Sequence, residues 1–365
     1  MIFLCAVNQI KFEKDFFIFV MIKKSIMYIE FSEVLLFLVR SLIVVFLLLN
    51  IVPLMVFAER KIAAFVQDRI GPEKSGLYGI IQPLADALKF FIKEAFVPPG
   101  VNKFLYYFSP VITAVTPILA FITVPIIPIL QPLSSELSVL VVLSFSSIGV
   151  WGLLLGGWNS MNKFSLLGSL RAASQFISYE VSLGISILAM LIIYGTFDFI
   201  KIVEMQEGSI FNWGIFLNPV AFLVFFISSF AEAARIPFDL PEAEAEIVAG
   251  YHTEYSGMKF ALFFMGEYMH LTLAASILII LFFGGWNLPF VKFDLPDDYL
   301  FAPVFEYLFG FIVFSVKLFV LLSFYVLARW TLPRFRFDQL IKFGWGTLLL
   351  LALISIVISA FVAVM

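Results

Sequence analysis

Between Ser228 and His270 the chain reads SSFAEAARIPFDLPEAEAEIVAGYHTEYSGMKFALFFMGEYMH, beginning inside one apolar segment and ending inside the next. The stretch carries Glu232, Asp239, Glu242, Glu244, Glu246, Glu254 and Glu267 against only two strong bases, Arg235 and Lys259. An ionised carboxylate in hydrocarbon is costly unless it faces a protein interior or a wet cavity, so intramembrane acids point to function. Carboxylates close together in a low-dielectric site cannot all ionise, and protons are then shared at neutral pH. Such a cluster takes up and releases protons when a nearby charge changes. Glu180, expected about five residues into its own apolar segment, belongs to the same class. Glu267, about nine residues into the next span, lies roughly 13 Å deep at ~1.5 Å per residue. For Glu232 an intrahelical pair with Arg235 at i, i+3 competes with a proton-handling role. Asp239-Leu240-Pro241-Glu242 has the form of a capping box, which would account for two of the loop acids. Ile236, Phe238 and Leu240 interleave apolar residues with these acids and predict burial against another subunit.

The elements that position these groups follow from composition. The 365 residues are 62% hydrophobic and 13% charged, with a mean hydropathy of +1.04. That is too little polar surface for a soluble globule, and the expected class is an all-α polytopic membrane protein. The net charge of −3 carries little information, because charges in such a chain act by position. One cysteine, Cys5, and two histidines, His252 and His270, do not suffice for a structural zinc site, an iron-sulfur cluster or a disulfide framework. Both histidines read as helix-face or core residues. No bound cofactor and no nucleic-acid partner are expected.

Apolar segments near 34–57, 105–130, 137–157, 176–194, 217–234, 258–283, 305–328 and 343–364 predict about eight transmembrane helices. Two GGWN tetrads, at Gly156–Asn159 and Gly284–Asn287, read as interfacial turns. Arg and Lys crowd the loops after the first, third, fifth and seventh spans, while the opposite loops hold only Lys201 and Lys292. The positive-inside rule therefore makes the odd loops cytoplasmic and puts both termini outside. Lys317, deep in the seventh span, is expected to pair with an acid. Residues 1–31 read as an extension ahead of a start at Met21 or Met27, and residues 32–365 as one membrane domain.

The loop after the first span is not a plain linker. Glu59-Arg60-Lys61 is expected to cap the first helix, and GIIQPLADALKFFIKEAF sets Ile80, Ile81, Leu84, Leu88, Phe91 and Ile92 at helical spacing. This predicts an amphipathic helix, either lying in the membrane interface or packed on its own protein.

AERKIAAFVQDRIGP with QPLADALKFFIKE, SLLGSLRAASQFISYEVSLG, the PFDLPEAEAE block and ARWTLPRFRFDQLIKFGW resemble, in order, the signatures of the H-subunit family of bacterial NADH-quinone oxidoreductase, or complex I. That family is related to mitochondrial complex I subunit 1. The resemblance covers about Val34 to the C-terminus and implies a non-redox component of a bacterial inner-membrane translocase. Its loops would dock beneath the terminal iron-sulfur cluster of the hydrophilic arm, beside small membrane subunits. Quinone would be the substrate, with NADH, FMN and iron-sulfur clusters held by partner subunits. Carried over position by position, Arg60, Arg69, Asp86 and Arg329 would line or brace the quinone chamber. Tyr179, Glu180, Glu232, Arg235, Asp239, Glu242, Glu244, Glu246, Glu254 and Glu267 would form the acidic path coupling quinone reduction to proton pumping. A homologous anchor of a membrane-bound hydrogenase and a stand-alone proton-coupled transporter are the competing classes. Co-purifying soluble subunits distinguish them.

Overall fold

A computed structural model describes residues 31–289 and 302–364. The N-terminal extension and Lys292 lie outside the described residues. The described chain is all helix and turn, without strands, as an apolar chain must be where only helices satisfy their own backbone in lipid. The main helices are α1 (Phe31–Val66), α2 (Gln82–Ile92), α3 (Lys103–Phe121), α4 (Ser138–Asn159), α5 (Lys163–Tyr194), α6 (Phe199–Met205), α7 (Pro219–Glu232), α8 (Met258–Phe282), α9 (Ala302–Thr331), α10 (Phe337–Lys342) and α11 (Leu349–Val364). Among the described residues, seven helical segments are long and apolar enough to cross a membrane, α10 and α11 counting as one continuous span, and α7 is a shorter apolar helix.

The expected span 105–130 stops short, its helix ending at Phe121 ahead of Pro125 and Pro128, while at three other boundaries helical backbone continues past the end of the apolar run. Helix α1 carries on to Val66, so Glu59, Arg60 and Lys61 lie inside it and do not cap it. Helix α5 starts at Lys163, thirteen residues before the expected start at 176, which puts Glu180 at mid-helix. The first GGWN tetrad is the last turn of α4, not a loop. Only the second is a turn, where Gly284 and Gly285 both take positive φ (68° and 54°).

Helix α8 is the axis of the bundle. In its most apolar window 83% of residues are buried inside the chain, against 11% for α1. Any group on α8 therefore faces protein, while α1 leaves most of its side chains to the surroundings. Helix α2 has no buried residue, and Ile80, Ile81, Leu84, Leu88, Phe91 and Ile92 are all exposed. This argues against its packing on its own protein and for an apolar face offered to lipid or a neighbour.

The loops after the first, third, fifth and seventh spans meet on one face. Asn102 N–H donates to Asn159 (3.1 Å), Phe96 N–H to Ser256 (3.1 Å), Arg171 to Glu246 (2.6 Å) and Phe335 N–H to the Pro237 carbonyl (3.1 Å). At the other end, Val139 N–H donates to the Phe197 carbonyl (3.2 Å) and Gln206 to that of Ile280 (2.7 Å). The basic and the base-poor loops thus occupy opposite ends, which is the segregation on which the charge argument rested.

Candidate functional site

Helix α1 delivers two opposite charges in consecutive positions, and they part company. Arg60 Nη1 pairs with Asp86 Oδ2 of α2 at 2.5 Å, with Gln82 and Lys89 also on that carboxylate. Partial burial opposes the charge on Asp86, but the Arg60 hydrogen bond and charge, with Gln82 and Lys89, hold its pKa below the ordinary carboxylate value. Glu59 turns inward, where it accepts from Arg329 at the end of α9 and from the Tyr268 hydroxyl of α8.

Tyr268 leads to the next pair. The Arg235 guanidinium, in the loop after α7, lies over the Tyr268 ring at 4.4 Å, and its Nη2 is 3.3 Å from Glu267 Oε2. Burial works against this cation, yet the neighbouring Tyr268, Glu267, Glu59 and Glu242 push its pKa up, so it stays charged. The other oxygen of Glu267 accepts from the Tyr251 hydroxyl. Burial, together with the charges of Glu267 and Glu242, raises Tyr251 well above its ordinary value and keeps the phenol a donor.

Beyond Glu267 lies a small cavity lined among others by Glu232, Glu267, His270, Ser146, Thr113 and Gly149. Glu232 closes α7 and accepts from Ser146 of α4, while the adjacent Ser147 donates to Glu180 of α5. The i, i+3 pairing of Glu232 with Arg235 gives way to these cross-helix bonds. Helix α7 ends at Glu232, so Arg235 follows a non-helical path to Glu267.

The remaining expected residues are placed around this line. Arg334 Nη2 reaches Asp239 Oδ2 at 2.8 Å. Burial and the charge of Glu242 raise the Asp239 pKa to about 6 despite Arg334 and Arg329. The capping box does not form: the short helix Glu244–Ile247 has Ala243 at its N-cap without a side-chain bond. Glu242 lies 4.0 Å from His252 Nδ1, and the Glu244 side chain lies outside the described residues. Exposed Glu246 pairs with Arg171 across the loops. Glu254 is apart from the carboxylate line and accepts from Asn162 (2.6 Å). Arg69 is exposed, and its side chain donates to Gln67 (2.7 Å). Tyr179 is fully buried beside Phe238, and its hydroxyl donates to the Leu340 carbonyl (3.0 Å) where α10 runs into a π-helical turn at Phe343–Leu348. Phe238 and Leu240, expected against another subunit, are buried in this chain instead.

From sequence Glu59 was read only as part of a helix cap, and Tyr251, Tyr268, Ser146 and Ser147 were not singled out. Glu59 and Tyr268 each adjoin a residue that was, so the AERK and GEY strings held that signal. The serines and Tyr251 offered none, since ordinary serines line many apolar helices.

A family model described as NADH dehydrogenase matches residues 39–360. The chain is 43% identical over 344 residues to the second H-subunit of the NADH-quinone oxidoreductase of Koribacter versatilis, covering 88% of this chain and 95% of the relative. It is 42% identical to the corresponding H-subunit of Flavobacterium psychrophilum (83% and 90% covered) and 38% identical to that of Bdellovibrio bacteriovorus (88% and 94%). The chain belongs to the H-subunit family of NADH-quinone oxidoreductases. Membership agrees with the multi-pass fold, and among the described residues no group of His, Cys, Asp or Glu could hold a metal ion. Every residue of the line of charges, from Glu59 of α1 to Arg329 of α9, lies inside the matched span.

Proposed function

We propose that the chain is the membrane subunit of a proton-translocating NADH-quinone oxidoreductase in a bacterial inner membrane. In this reading it lines the quinone chamber with Arg60, Asp86, Arg69 and Arg329 and starts the acidic path that couples quinone reduction to proton movement. The base-rich face lies in the cytoplasm against the hydrophilic arm, whose partner subunits carry NADH, FMN and iron-sulfur clusters. Residues 32–365 act as one membrane domain beside other membrane subunits.

One observation carries the reading: an unbroken relay of side chains from Arg329 through Glu59, Tyr268, Arg235 and Glu267 to the cavity that Glu232 shares. Reduction of a quinone consumes two electrons from the partner subunits and two protons from its surroundings, leaving a changed charge at the chamber. Arg235 stands between the Glu59–Tyr268 pair and Glu267, so a change of charge on one side alters how strongly it holds the other. When its hold on Glu267 weakens, that carboxylate takes a proton. Glu232 and Glu180, bridged by consecutive serines, pass the response away from the chamber.

Replacing Glu267 or Glu180 by Gln in the assembled complex tests this. The amide keeps shape and hydrogen bonding but cannot titrate. NADH oxidation by an artificial acceptor is expected to hold, while quinone-linked turnover and proton pumping fall together, on the order of tenfold or more. Wild-type proton-to-electron ratio and rate in either variant would falsify the acidic path.

A further inference from the structure

We infer that His270 is a proton-transfer residue of the cavity between Glu267 and Glu232. The inference rests on the reading above that these carboxylates carry protons, and adds to it the group that passes protons between them.

Helix α8 puts His270 three residues beyond Glu267, on the same face. Its side chain lines the cavity that Glu267 and Glu232 also line. Among the described residues the two carboxylates share no hydrogen bond: Glu267 is held by Tyr251 and Arg235, Glu232 by Ser146. A proton crossing from one to the other needs an intermediate. The imidazole Nε2 lies 3.4 Å from the Thr116 hydroxyl of α3. On its other flank α4 provides Gly149, where a Cβ would come within 2.8 Å of Nε2 and 3.0 Å of Cε1. Gly149 sits in regular helix, so its missing side chain makes room for the ring and serves no backbone need.

The charged groups facing His270 are few. Glu267 shares its helix, Glu232 comes from α7, and Glu180 of α5 stands behind Ser146 and Ser147. Arg235 is engaged by Glu267, while α3 contributes only the hydroxyls of Thr113 and Thr116. His270 thus shares the lining of the cavity with two carboxyl groups, and among the described residues it forms no ion pair. An imidazole accepts a proton on one nitrogen and releases one from the other, which no amide or hydroxyl does near neutral pH. The step breaks the O–H of protonated Glu267 and forms an N–H on the ring. The imidazolium then gives its proton to the Glu232 carboxylate and returns to neutral, with no electron transferred. A cavity walled by two carboxyls, hydroxyls and a ring nitrogen also suits bridging water.

The test uses the assembled complex in membranes and reads quinone-linked turnover and proton pumping from about pH 5.5 to about 8.5. The variants are His270→Gln and Glu267→Gln, with artificial-acceptor activity as the reference. His270→Gln is expected to lower pumping on the order of tenfold near neutral pH and to flatten the pH profile, with the reference activity kept. A wild-type profile in His270→Gln, or a uniform drop with the profile's shape unchanged, overturns the inference. Loss in Glu267→Gln alone sinks this inference and spares the acidic path, whereas wild-type behaviour of Glu267→Gln sinks the path itself. If His270→Gln fails to assemble, Thr116→Val decides: a shifted profile supports the role of the ring, and an unshifted one refutes it.

Discussion

The two ends of the central helix hold buried cations in opposite ways. At the base-rich end, Arg235 rests on Tyr268 and Glu267, Arg329 on Glu59, and Arg334 on Asp239. At the far end Lys317 is held by backbone. Its Nζ donates to three carbonyls, those of Phe283 (2.7 Å), Gly285 (2.9 Å) and Asn287 (2.6 Å), and lies 4.9 Å from the Trp213 ring centre. The expected acid partner is replaced by carbonyls of the cap and turn that follow the C-terminus of α8, the negative pole of its dipole. Gly284 and Gly285 allow this because their positive φ turns the chain back under the ammonium, and a Cβ on either would strike Trp213 or Val203.

The difference lies in what each arrangement is able to do. A carboxylate or phenol partner changes charge when a proton arrives, so an arginine between two of them responds. Three carbonyls do not titrate and move only if the turn unravels. The base-rich end therefore pairs its cations with groups that titrate, and the far end pairs Lys317 with groups that do not.

The most severe way to break this contrast is at Arg329. Arg329→Ala leaves Glu59 mostly buried beside Tyr268 without its cation, at a cost of about 3 kcal/mol. Thermal unfolding of the purified complex should show it, along with a loss of quinone-linked turnover. Lys317→Met strips three carbonyls of their donor and should cost about 2 kcal/mol, but with protons pumped per electron and the pH profile both unchanged. A changed ratio in Lys317→Met would erase the distinction between the two ends.

Asp239 sharpens it further. Its pKa of about 6 in the folded chain exceeds the ~3.9 of an unfolded aspartate. The folded state therefore binds that proton more tightly, and this group's contribution to stability falls as pH rises from about 4 to about 6 and is level above. Asp239→Asn should flatten that slope in melting curves taken across the window, and an unchanged slope would assign it to another group.

The smallest structural effect is expected at Arg60, whose pair with Asp86 is half exposed. Arg60→Ala should cost less than about 1 kcal/mol while raising the KM for quinone, because the rigid multi-donor guanidinium at the exposed α2 is lost. Unaltered quinone kinetics in the assembled variant would remove Arg60 from the chamber.

Arg334 is committed to Asp239, and Arg336, whose side chain is 79% exposed, pairs with Asp338 on its own segment. Of the two, Arg336 is the one positioned to meet an external acid.

Much of the molecule was legible in the chain. Runs of about 20 apolar residues separated by Gly, Pro and charge define spans whatever their packing, since a bilayer demands that length and an internally bonded backbone. The segregation of Arg and Lys sorted the loops onto two ends, and acids inside apolar runs marked the site because nothing else justifies their solvation cost. Helix ends were less legible: α1 and α5 extend as polar-faced helix beyond the hydrocarbon, where hydropathy no longer marks them.

Pairing was decided only by the tertiary structure. Sequence spacing offered Arg235 the nearby Glu232, Asp239 a cap, and Lys317 some unnamed acid. The end of α7, the loop path from Ala233 to Gly257 and the crossing of α4 over α5 instead set Glu267, Arg334 and the end of α8 as the partners. Such choices depend on angles between helices dozens of residues apart, and periodicity within one helix cannot encode them. The types and depths of the charged residues were written in the chain, and which charge answers which was settled by the packing around α8.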